Sequence, residues 1–91
     1  MRPASISAIR SISAIRADAL FVSALQRGDD PSAEAVRQAV AAAVGAFGQG
    51  GCAGRVAQEF GDHPEAAVTR MRWAQQVAGT AFRAGMTGAS R

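Results

Sequence analysis

The chain of 91 residues has no lysine, no asparagine and no tyrosine, and only one cysteine, one tryptophan and one histidine. A lone cysteine, Cys52, excludes an internal disulfide and is compatible with a reducing compartment. The single histidine, His63, has no second histidine to share a metal with, so no metal site is expected. No apolar run approaches the roughly 18–20 residues of a transmembrane helix, so no membrane partner is expected. The sequence also lacks CxxC, HExxH, a phosphate-cradling GxxxxGK, a dinucleotide GxGxxG and a Ser/His/Asp order. Gly48-Gln49-Gly50-Gly51 is glycine-rich, but no strand precedes it and no lysine follows. Glu59, Asp62 and Glu65 are close in sequence and read as cap and surface charges rather than an acid/base pair. The expectation is therefore no enzyme, no catalytic residue and no cofactor. No stretch alternates β-branched and polar residues, which removes strands and leaves an all-α class. The length allows one small domain with a thin core.

What the chain does contain is alanine (22 residues), glycine (10) and arginine, which supplies all ten of its positive charges. This bias is that of a GC-rich bacterial genome, such as an actinobacterium's. It also equips the surface with guanidinium forks, which grip phosphates and base edges bidentately where an ammonium does not. The net charge is +3, unevenly spread. Residues 1–27 carry four Arg against Asp18, and residues 66–91 carry Arg70, Arg72, Arg83 and Arg91 with no acid. The middle holds the other six acids. A basic final third beside an acidic middle suits a polyanionic partner, most simply nucleic acid.

Local patterning divides the chain. Ser5-Ile6-Ser7-Ala8-Ile9-Arg10 is repeated at once as Ser11-Ile12-Ser13-Ala14-Ile15-Arg16. Its isoleucines recur every three residues and drift around a helix without forming a stripe, so 1–16 reads as a loose arm or frayed helix. Leu20, Phe21, Ala24 and Leu25 then share a helical face, with Asp18 near the start and Gly28 as the stop. Asp30-Pro31 reads as a cap and first turn for the clearest stripe, Val36, Val40, Ala43, Val44 and Phe47, which ends at Gly48–Gly51. A short helix follows from Cys52 to Phe60, with Val56 and Phe60 inward and Gly61 as breaker. Asp62 and Glu65 have capping-box spacing around Pro64. The last helix runs to about Ala78 with Val68, Met71 and Ala74 inward, and the chain is loose after Phe82.

The segment Val56-Ala57-Gln58-Glu59-Phe60-Gly61-Asp62-His63-Pro64-Glu65-Ala66-Ala67-Val68-Thr69-Arg70-Met71-Arg72-Trp73-Ala74 resembles the helix-turn-helix of bacterial sigma factors and repressors. Ala57 takes the small position where two helices cross, and Gly61, four residues on, takes the turn. The sequence departs from the pattern in having Asp62 after the turn glycine, and in placing the inward valine at 68 rather than 67. The chain is thereby similar to the small single-motif DNA-binding proteins of actinobacteria, whether nucleoid-associated or transcriptional regulators. That resemblance implies a second helix lying in the major groove. It places His63, Glu65, Ala66, Thr69 and Arg70 toward base edges, and Arg55, Arg72 and Trp73 toward phosphate. For Trp73, packing into the core is the competing role. Cys52, at a helix N-terminus, is positioned for a lowered thiol pKa.

The expectation is an all-α domain of three to four helices. Residues 1–16 form a flexible arm, 17–82 the helical domain with its helix-turn-helix at about 52–78, and 83–91 a flexible tail. It is expected to bind double-stranded DNA in the cytoplasm, at the nucleoid, and to do so as a homodimer through residues 17–27 or the Val36–Phe47 stripe. The alternative is a helical module that docks on a protein, such as a sigma factor, through surfaces around Phe21 and Leu25.

Overall fold

The computed structural model describes residues 11–89, with side chains through Arg83. It is all-helical over those residues: α1 spans Ile12–Val22, a single 3-10 turn spans Arg27–Asp29, α2 spans Ala33–Asp62 and α3 spans Pro64–Ala89. Each of the three helices packs against the other two.

The second copy of the hexapeptide repeat opens α1 instead of extending an arm. Ser11 is extended, and its side-chain oxygen accepts the Ala14 N–H at 3.0 Å, the N-cap role that a serine fills well. Asp18, expected near the start, is thus in the second turn and buried. The first copy, residues 5–10, lies outside the described residues. At the other end α1 stops at Val22, earlier than Gly28. Both the N–H and the hydroxyl of Ser23 donate to the Leu20 carbonyl, closing the last turn.

Ser32, not Asp30, caps α2: its hydroxyl oxygen accepts from the Ala35 N–H at 3.1 Å. Asp30 instead turns the chain in the left-handed region, with φ 47°, a conformation that aspartate tolerates better than most residues. The glycine-rich break falls where the sequence places it, but it is one residue wide. Gly48, at φ 73° and ψ 165°, is the sole non-helical residue inside α2. The kink is sharp. Residues nine apart in a straight helix are separated by about 13.5 Å, yet the Cys52 thiol reaches the Ala43 carbonyl at 3.7 Å. The two arms of α2 therefore fold back on one another, so three helices act as four packing elements. Gly51 permits this closeness, because a Cβ there would lie 3.1 Å from that of Phe47.

Leu20, Phe21, Val36, Val40, Ala43, Cys52 and Val56 form the core with Ala67, Ala74, Ala78 and Ala81 of α3. The α3 stripe is made of alanines, which let its neighbours approach closely. Val68, expected inward, is 38% exposed, and Ala67 takes its place. Phe47 and Phe60 are also more exposed than their stripes imply. Phe60 lies over the core's edge, stacked on Phe21 at 6.2 Å between ring centroids. The faces expected to form a dimer are inside this core: Leu20, Phe21, Val36, Val40 and Ala43 are all buried within one chain. Phe21 is likewise inaccessible as a protein-docking anchor.

Candidate nucleic-acid interface

Between the second and third helices there is one linking residue. His63 (φ −140°, ψ 68°) is the only non-helical position, its N–H donates to Glu59 at 2.7 Å and its carbonyl accepts the Ala67 N–H at 2.9 Å. A helix-turn-helix ordinarily has a turn of three or four residues. Here Gly61 and Asp62 remain helical, so Asp62 ends α2 and cannot act as the N-cap of a box with Glu65. Pro64 begins α3, where its missing N–H costs nothing. Ala57, expected at the crossing point, is exposed.

The residues singled out in the sequence separate into three groups. His63, Glu65, Ala66 and Thr69 are exposed around the start of α3. Arg72 is exposed one turn further along the face of Thr69. Arg70 and Trp73 are elsewhere in role. Arg70 Nε donates to the Phe21 carbonyl at 2.6 Å, while one terminal nitrogen donates to Ser23 at 3.1 Å and to Leu25 at 2.9 Å. A guanidinium has five N–H donors, and three are held in this way. Arg70 therefore ties α3 to the end of α1 and is not presented as a fork to a guanine. Burial, and then the neighbouring charge of Arg27, push its pKa below the ordinary value. Trp73 is half-buried against the core with the Arg70 guanidinium 4.9 Å over its ring, in the packing role rather than at a phosphate. Arg55 is exposed on the second arm of α2, stacked 3.9 Å over Phe47. It lines a groove with Ser23, Gln58, Glu59 and Arg70 rather than sharing the outer face of α3.

That outer face is the most coherent polar surface. Thr69, Arg72, Gln76, Thr80 and Arg83 recur at spacings of three and four residues, and each is exposed. From Thr69 to Arg83 the row is about 21 Å long at 1.5 Å per residue. After Glu65 in the first turn the chain has no acid. The sequence already contained the signal, namely the acid-free run from residue 66. Only the placement of Ala67, Ala74, Ala78 and Ala81 in the core shows which arginines face outward.

Cys52 is 1% exposed, so it is not a helix-terminal thiolate. Burial first, then the negative charge of Asp18, push its thiol up, against a smaller downward pull from Arg55. A thiol whose folded pKa is raised stabilises the fold in its protonated form. That contribution is complete below the unfolded thiol value of about 8.5 and is lost as pH rises through the folded value. Cys52 is expected to resist a thiol reagent at about pH 8 in the native protein and to react promptly once denatured. Prompt native reaction would mean that the two arms of α2 open freely.

Among the described residues no three His, Cys, Asp or Glu side chains gather to hold a metal, and no described helix is long and apolar enough to cross a membrane. No family model, curated protein or solved structure matches the chain.

Proposed function

We propose that this small helical domain binds duplex nucleic acid through the outer face of α3, chiefly by phosphate contacts. The observation that carries the reading is the row Thr69, Arg72, Gln76, Thr80 and Arg83, a cationic and hydrogen-bonding stripe with no carboxylate along it. Helical guanidiniums at this spacing suit a phosphate backbone, because each places a charge-assisted donor fork at the surface. From the helix-turn-helix resemblance the reading keeps the second helix as the DNA-facing element. His63, Glu65, Ala66 and Thr69 at its start are the residues that would lie near base edges, and Arg72 the one that holds phosphate. Arg70 is left out because its donors serve α1. Such a protein fits a regulatory or nucleoid-associated role.

The test is fluorescence anisotropy of the full chain with random-sequence duplex DNA over a salt series. About three phosphate contacts would make log affinity fall with log salt at a slope near −2.7. Arg72→Gln is expected to weaken binding to all duplexes alike and to reduce that slope by about one. Absence of binding even at low salt would end the reading. The competing role, a module docking on a protein, is favoured by the exposure of Phe47 and Val68. Substitution of Phe47, which lies on α2 under Arg55, by serine would leave DNA affinity unchanged if the α3 face is the interface.

A further inference from the structure

The first turns of α1 and the far part of α3 enclose a groove of about 600 Å³, lined by Ser11, Ser13, Arg16, Gln75, Phe82 and Arg83 among others. We propose that this groove is a phosphate subsite for the backbone of the bound duplex, with Arg16 as its principal donor. The inference rests on the nucleic-acid reading and extends it from one helix face to a second element.

Three observations support it. The Arg16 side chain is half-buried, with its guanidinium carbon 3.9 Å from the centroid of the Phe82 ring. This cation–π contact anchors the Arg16 guanidinium at the groove, and it leaves N–H donors that the ring does not consume. Among the described residues lining the groove there is no carboxylate, and Ser11, Ser13 and Gln75 set neutral hydrogen-bond donors beside Arg16. Finally, Gln75, Gly79 and Arg83 line the groove and adjoin the outer row of α3 through Gln76 and Thr80, so the groove continues the proposed interface. The positive end of the α1 dipole adds to the field there. A continuous cationic surface of this extent favours a polyanion over a single small phosphate.

The experiment compares three variants with the wild type in the same salt series. Arg16→Gln removes the donor. Arg55→Gln makes an equal change in net charge on the second arm of α2, off the outer face of α3 and outside the groove. Ser13→Glu places a carboxylate in the groove three residues before Arg16, where it pairs with the guanidinium and repels a phosphate. An acid in the first turn suits a helix, so this last variant is expected to fold at least as well as wild type. Arg16→Gln should reduce the salt slope by about one and weaken binding about fivefold near physiological salt. Ser13→Glu should weaken binding at least as much, with an unchanged melting temperature, while Arg55→Gln should keep the wild-type slope. If all three slopes match the wild type while the wild type binds duplex, the groove assignment falls and the α3 reading stands. If the wild type binds no duplex, both fall. Binding to vesicles of phosphatidylglycerol but not to duplex, lost in Arg16→Gln, would overturn the nucleic-acid assignment in favour of a membrane surface.

Discussion

Arg70→Ala is expected to destabilise the protein by about 3 kcal/mol, a large share of what so small a domain has. The cause is topological. The last carbonyls of any helix lack intrahelical partners. The Leu20 carbonyl is served by Ser23, whereas the Phe21 carbonyl in the last turn of α1, and those of Ser23 and Leu25 just beyond it, accept from the Arg70 guanidinium. One side chain from α3 thus closes α1 and fixes the path into the next turn, and its charge complements the negative end of the α1 dipole. The same guanidinium lies over the rings of Trp73 and Phe21. Bonds to a charged donor are each stronger than neutral ones, but they act here as a unit and are not summed. A melting temperature lower by about 10–20 °C follows for a domain of this size. Arg70→Lys is expected to recover less than half of the loss, since a compact ammonium cannot span the three acceptors as a planar fork does. Urea denaturation of the three proteins decides the matter. An Arg70→Ala protein within about 0.5 kcal/mol of wild type would show that water replaces the guanidinium at no cost. The prediction also governs how binding data are read, because a loss of DNA affinity in an Arg70 variant would report the fold rather than a base contact.

The second large effect is expected at the kink. Gly48→Ala should cost about 1–3 kcal/mol, the usual cost of holding an L-residue where φ is near +73° and ψ near 165°. Crowding plays no part, since a Cβ at Gly48 meets nothing within 4 Å. The cost is one of backbone conformation, and that makes it testable by chirality. Replacement of Gly48 by D-alanine, for which this region is open, should instead stabilise by about 0.4–1 kcal/mol by restricting the unfolded chain. A synthetic pair carrying L- and D-alanine at this position should therefore bracket the wild type in thermal melts. Equal melting temperatures would show that the kink is not what holds Cys52 against Ala43. A lower stability for the L-form should be accompanied by faster modification of Cys52, since that thiol is sealed where the two arms of α2 meet.

The helical class, the break at the glycine-rich stretch from Gly48 and the charge asymmetry were legible in the residues alone. These are local or compositional properties: helix-forming alanine, a residue able to adopt positive φ, and a run of residues from 66 onward without an acid. Stripe reading also found Leu20, Phe21, Val36, Val40 and Ala43, where large side chains repeat at helical spacing. It failed on α3, because the buried stripe there is alanine and the larger Val68 drew the inward assignment to the wrong face. Short-range signals misplaced the caps for a similar reason. Several of Asp30, Ser32, Asp62 and His63 have suitable chemistry, and only the chain path selects Ser32 and bars Asp62. The role of each arginine was beyond local reading altogether. Arg70 and Arg72 are two residues apart, yet one bonds carbonyls that lie 45 to 49 positions earlier and the other faces outward. Likewise Arg16 acquires its orientation from Phe82, on another helix. A side chain's partners across helices depend on packing angle and register, which no single segment specifies, so the division of the arginines between fold and surface is a property of the tertiary structure.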